Sequence, residues 1–173
     1  MSSSILSTIS EIQKTPVSNT HKIENPALHD YKIVYDECRR KLYINAKVYS
    51  DSLDNGSDIT QQGISFSEKF GDAARDSPQQ YIHKKLGGDG LFRNVFPLNN
   101  KMDISSWLNA QDCIYNHIKE GTNRYAHLQY GMRYDSDDEE NFMRPFEIYY
   151  FYVLYENDNT FGEALEGVIE NWT

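Results

Sequence analysis

The 173-residue chain has little cysteine, little proline, few cations and no long apolar run, and each shortage excludes something. Its two cysteines, Cys38 and Cys113, are too far apart for a zinc knuckle. Two isolated thiols suit a reduced compartment better than a disulfide framework. No segment approaches the ~20 consecutive apolar residues of a membrane helix. The opening MSSSILSTISEIQKTPVSNTHK lacks the continuous apolar core of a signal peptide. The expectation is therefore an intracellular protein, cytoplasmic or nuclear, with no membrane partner. Lysine and arginine number 17 against 26 acidic residues, a formal net charge of −9. That balance argues against a protein that grips nucleic acid mainly by neutralising phosphates, although a local basic groove stays open.

With 39% hydrophobic content, the chain can bury a core of single-domain size. Residues 1–26 are rich in Ser and Thr, and only Ile5, Leu6, Ile9 and Ile12 suggest a period. That stretch reads equally as a fraying helix or as a flexible, partner-binding segment. Residues 27–173 read as one domain. YKIVYDECRRKLYINAKVYS alternates β-branched and aromatic residues with polar ones around an interruption, which predicts a two-stranded hairpin. A polar loop, DSLDNGSD, follows. A short strand is expected over 64–66, then a strand ending near Leu86 that GGDG breaks.

DISSWLNAQDCIYNHIKEG is the clearest helix. Asp103 or Ser105 can cap it, Trp107, Ala110, Ile114 and Ile118 form its apolar stripe, and Gly121 can end it. RYAHLQYGMRY and FEIYYFYVLYE are long strands separated by an acidic loop, and FGEALEGVIENWT suggests a short amphipathic helix. Strands crowding both ends of one helix predict an α+β fold with an antiparallel sheet, a strand-turn-helix core and short flanking helices. The 13 tyrosines are expected on sheet surfaces, with their hydroxyls reaching water.

From Gln80 to Gly121 the chain carries Leu86, Gly87, Gly88 and Gly90, then Asn94 and Pro97, a helix start at Asp103, and Trp107. In that order and spacing it resembles the DNA/RNA non-specific endonuclease family, in the compact branch common among bacterial toxin domains. The active site of that family is a ββα-metal, or His-Me, finger. Arg144-Pro145 with the strand after it resembles the family's closing hairpin, so the likeness runs from about Tyr31 to Phe161. The glycines, Asn94 and Pro97 are expected to build a tight turn whatever the activity, because such a turn needs positive φ or close backbone approach.

In the family, as the resemblance implies, a strand-end His takes a proton from the attacking water, a helix Asn holds hydrated magnesium on the scissile phosphate, and a Glu supports its hydration shell. The same offsets place Gln80, Asp103 and Gln111 at those positions, and Ser77-Pro78-Gln79-Gln80 where Asp-Arg-Gly-His would stand. A carboxamide does not titrate near neutrality as an imidazole does, so Gln80 cannot serve as a general base. Asp103 could ligate magnesium, but Asp is also an ordinary N-cap. His83, three places after Gln80, would face the opposite side of a regular strand and could substitute only through a bulge or register slip. His117 and His127 read as surface or core residues.

The run Asp135, Asp137, Asp138, Glu139, Glu140 reads as a solvated loop that would repel phosphate and attract a partner with a basic surface. Arg39, Arg40, Lys41, Lys84, Lys85 and Arg93 lend local basic character near the expected cleft. The sequence thus points to a nuclease-like scaffold without its catalysis, kept as a protein-binding or regulatory adaptor, with no cofactor expected. The alternatives are a magnesium-dependent nuclease with His83 as a displaced base and a non-cleaving nucleic-acid binder. A homodimer stays open.

Overall fold

The structure is a computed structural model that describes residues 4–135 and 142–172. It is an α+β fold with three α-helices among the described residues. The central sheet is β1 (Val17–Lys22), β2 (His29–Asp36), β3 (Lys41–Val48), β6 (Tyr125–Tyr134), β7 (Pro145–Tyr155) and β8 (Phe161–Glu170), hydrogen-bonded in that order and antiparallel throughout. A two-stranded sheet, β4 (Asp76–Gln80) with β5 (Val95–Asn99), lies apart from it. The helices are α1 (Ser4–Ile12), α2 (Gln61–Phe70) and α3 (Ser105–Glu120). No described helix is long and apolar enough to cross a membrane.

Successive strand side chains point to opposite faces. Ile44, Ala46, Leu128, Tyr130 and Tyr152 therefore share the inner face, where they join Trp107, Ile114 and Ile118 of α3 and Tyr81 and Phe96 beside the small sheet. Truncating one such buried side chain typically costs ~2–5 kcal/mol. The outer face carries a smaller cluster, where Ile9 and Ile12 of α1 cover Leu42, Tyr43 and Tyr149.

Several segments differ from the sequence expectation. The N-terminal stretch, read equally as a fraying helix or a flexible segment, is helical over Ser4–Ile12 and adds the unexpected edge strand β1, because the sheet's outer face gives its isoleucines somewhere to pack. The strand expected over 64–66 lies inside α2, which Thr60 starts by accepting a hydrogen bond on its side-chain oxygen from the Gly63 N–H at 3.2 Å. The tail expected as a helix is β8. There Leu165 and Ile169 turn toward the core at a spacing suited to a strand, and the edge of β7 pairs with the whole segment. Tyr81, Tyr130 and Tyr152 are buried rather than at the surface.

Candidate functional site

Strand β4 runs antiparallel to β5, with Gln80 opposite Val95, and the chain then enters α3, so residues 76–120 form a ββα unit. The connection between the strands is held by Asn94, which is fully buried. Its side-chain oxygen accepts from the Ile82 N–H at 3.0 Å, and its amide nitrogen donates to the carbonyls of Ile82 and Asp89, both at 2.8 Å. Gly87 adopts φ +101°, in the left-handed region. A Cβ on Gly88 would stand 1.7 Å from the Ile82 carbonyl oxygen, and one on Gly90 1.9 Å from that of Asp58. Pro97 lies in β5 opposite Pro78, with its carbonyl accepting from Asn171 at 2.8 Å. Gly88→Ala is expected to force the turn open and destabilise the fold by about 1–3 kcal/mol, measured as a lower urea midpoint.

Gln80 ends β4 with its side chain turned inward, 4% exposed. Its amide nitrogen donates to the carbonyls of Ser57 and Asp89, each at 2.9 Å, and its oxygen accepts from the Lys84 N–H at 3.3 Å. Gln111, on the buried side of α3, accepts from the His83 N–H at 2.9 Å and donates to the Tyr81 carbonyl at 3.2 Å. The two amides are spent on three backbone segments and tie β4, its following turn and α3 together. Asp103 is exposed just before α3, and one carboxylate oxygen accepts from the N–H of Ser105 at 3.0 Å and its hydroxyl at 2.6 Å. Those bonds hold its carboxyl below the usual range. The N-cap position itself falls on Ile104, which has no side-chain cap, so neither Asp103 nor Ser105 caps α3: Asp103 lies one residue earlier and bonds only to Ser105, the first residue of the helix.

His83 is placed differently from the strand-parity expectation. Strand β4 stops at Gln80, so alternation no longer governs residue 83, which begins a single 3-10 turn at Lys84–Leu86. His83, Lys85, Leu108, Gln111 and Asp112 line a cavity of about 240 Å³. The His83 ring accepts on Nδ1 from the Lys85 N–H at 3.3 Å. Burial and the nearby Lys85 and Lys84 push its pKa down, so the neutral ring carries its proton on Nε2.

Of the six cations expected near this cleft, four meet a carboxylate, and Arg39 is exposed. Lys84 meets Asp58 at 2.6 Å, Lys85 meets Asp112 at 3.1 Å, Arg93 meets Asp89 at 2.9 Å and Arg40 meets Asp36 at 2.8 Å. Lys41 is buried. Among the described residues no group of three or more His, Cys, Asp or Glu side chains could hold a metal ion. Of the acidic run, Asp135 is exposed, while Asp137, Asp138, Glu139 and Glu140 lie outside the described residues.

Three features escaped the sequence reading. A buried relay runs from the Trp107 indole N–H to the Tyr152 hydroxyl (2.9 Å), on to the Tyr130 hydroxyl (2.7 Å), and from there to the Tyr81 carbonyl (2.8 Å), docking the ββα unit on the sheet. Arg144 forms a two-pronged ion pair with Asp76 at the start of β4. Lys41 points into the core, although its neighbours in DECRRKLY suggested an exposed turn. The one advance signal was the density of Tyr in β6 and β7.

No protein-family model and no curated protein sequence matches the chain. Solved structures do. An extracellular nuclease aligns with TM-score 0.52 and 10% identity over 90% of this chain and 92% of its own. An extracellular endonuclease aligns with TM-score 0.53 and 8% identity, covering 92% of this chain and 81% of its own. A chain from the EndoG/EndoGI complex, whose structure describes the mechanism of EndoG inhibition, aligns with TM-score 0.55 and 10% identity over 99% of this chain and 81% of its own. At such identities the likeness is one of fold, and that fold is nuclease-like.

Proposed function

We propose that this chain is a catalytically inactive nuclease-like domain acting as a protein-binding or regulatory adaptor. The observation that carries this reading is the Gln80 side chain, whose donors and acceptor are all engaged with backbone. At the position of the base it can neither take a proton nor release its amide to orient a water without breaking the turn. Loss of a general base typically slows a reaction on the order of 10²–10⁴-fold. Gln111 spends its oxygen and one amide hydrogen on backbone, and Asp103 spends one oxygen on Ser105, so the donor set does not fit hydrated magnesium. The excess of acid and the run from Asp135 to Glu140 favour a partner with a basic surface.

A second reading, nuclease activity with His83 as base and Asp103 on the metal, draws support from the cavity His83 shares with Gln111. It is the weaker one, because the ring nitrogen that could accept a proton already accepts from Lys85. Incubating the full chain with plasmid DNA and RNA in magnesium or manganese tests both. The expected result is no cleavage by the wild type or by Gln80→His, whose imidazole cannot replace three backbone bonds. Cleavage by the wild type that vanishes in His83→Ala would overturn the inactive reading. For the adaptor role, a pull-down from native cells should lose its partner when Asp135, Asp137, Asp138, Glu139 and Glu140 are neutralised together.

A further inference from the structure

Four adjacent strands turn cationic side chains onto the outer face of the sheet, away from β4, β5 and α3. In register, Lys22 of β1 lies opposite Lys32 of β2, and Lys47 of β3 lies opposite His127 of β6. Asn45, next to Lys32 across β2 and β3, shares their face. Because α1 covers only the part of this face around Tyr43 and Tyr149, a concavity of about 510 Å³ stays open between Lys22, Lys32, Asn45, Lys47 and His127, with Thr20, Tyr31 and one carboxylate, Asp30, completing its wall.

The charges here are not arranged for folding. Lys47 pairs with Asp30 at 3.2 Å, but Lys22 and Lys32 have no ion pair among the described residues, and both are exposed. Like charges directly opposite on a sheet destabilise it by a few tenths to ~1 kcal/mol. On the ββα side, by contrast, Lys84, Lys85 and Arg93 each meet a carboxylate. In a chain of net charge −9, three lysines and a histidine around a concavity with a single carboxylate, Asp30, form a local excess of positive charge.

We propose that this concavity binds a phosphate-bearing anion of nucleotide size, with Lys22, Lys32 and Lys47 as its charge partners and His127 as a proton-accepting wall. Its volume lies in the ~300–1,000 Å³ range of small-molecule sites, and lysine is a common phosphate partner through charge-assisted hydrogen bonds. His127 is already oriented, since its Nε2 stands 2.6 Å from the Asn45 side-chain oxygen, which fixes the N–H there and leaves Nδ1 for a proton. Burial first, then Lys47 and Lys32, push its pKa down, while Asp30 pulls it up. An arriving anion would offset the lysines, so His127 takes up a proton on binding, and affinity rises as pH falls. None of these residues belongs to the ββα unit, so the site stands whether or not catalysis survives.

The test is an NMR titration of the full chain, at low ionic strength, with inorganic pyrophosphate, with a short oligothymidylate, and with sulfate as control. The expected result is a saturable shift of the His127 ring signals, with its titration midpoint moving upward. Saturation by pyrophosphate assigns a small-anion source, whereas a response to the oligomer alone assigns a strand. The double variant Lys22→Gln/Lys32→Gln should bind about a hundredfold more weakly, at about tenfold per lost charged contact, and unfold no more easily than the wild type. No saturable shift with either phosphate probe overturns the proposal. So does equal binding of sulfate, or undiminished binding by the double variant.

Discussion

Arg144→Met is expected to lower stability by about 3–5 kcal/mol, because it strands a buried carboxylate. Arg144 donates through Nε to one oxygen of Asp76 at 2.7 Å and through Nη2 to the other at 2.8 Å, and both side chains are 2% exposed. Its remaining donors reach the Asn171 carbonyl and side-chain oxygen. Asn171 in turn donates to the carbonyls of Pro97 and Pro145, each at 2.8 Å. One guanidinium therefore joins the first residue of β4, the entry to β7 and the C-terminal end of the chain. Asp76→Asn should cost less than Arg144→Met, since a neutral amide can still accept one bond. The pair Asp76→Leu/Arg144→Met should recover much of the loss, because an apolar replacement removes both desolvation penalties. Urea unfolding of the wild type, Asp76→Asn, Asp76→Leu, Arg144→Met and the double variant measures these differences, and the two Leu and Met singles close the cycle with the double. If Arg144→Met shifts stability by less than ~1 kcal/mol, the pair does not hold the ββα unit to the sheet. Amide exchange should locate the damage, with β4 and β5 losing protection before β6 and β7.

The ββα unit was legible in the sequence because backbone geometry dictates its residue types. Gly88 has no room for a Cβ, Asn94 must satisfy the backbone of residue 82, and Trp107 recurs with Ala110 and Ile114 at helical spacing. β8 was illegible for the opposite reason. FGEALEGVIE suits an amphipathic helix about as well as a strand, and only the free edge of β7 decides between them. α1 was likewise ambiguous until the outer face of the sheet gave Ile9 and Ile12 a surface to cover. Within the candidate site, offsets located Gln80 and Gln111 but could not show that their amides are tied to backbone, because the partners at Ser57 and Tyr81 lie 23 and 30 residues away in sequence. His83 eluded the parity argument because such arguments end where the strand does. The same limit applies to Arg144 and Asp76, 68 residues apart, whose pairing follows from no local pattern.

Lys41 carries the other large expectation, a stability that climbs with pH through the neutral to mildly alkaline range and stops climbing in Lys41→Met. Its ammonium donates to the carbonyls of Phe92 and Val95 and lies 4.4 Å from the centre of the Phe66 ring, with no carboxylate among the described residues in ion-pair contact. Burial lowers its pKa to about 7, only partly opposed by Asp89, whereas in the unfolded chain it keeps the ordinary 10.5. Between those two values the unfolded state binds more protons than the folded one, so unfolding free energy rises with pH, by at most ~1.4 kcal/mol per unit. Other groups bound the window. His83 and His127, depressed in the fold, add their gain below about pH 6.5. Tyr81, Tyr130, Tyr134 and Tyr152, raised by burial, stabilise only until the unfolded tyrosines ionise near pH 10. Between about pH 7 and 9.5 the slope belongs mainly to Lys41, and it should amount to roughly 2–3 kcal/mol in urea unfolding. Lys41→Met keeps the length of the side chain and its contact with Phe66 while removing the charge, so its stability should be flat over that window and exceed the wild type most at the acid end. Parallel profiles for the two proteins would mean that the ammonium is hydrated, and that Phe92 and Val95 share their carbonyls with solvent.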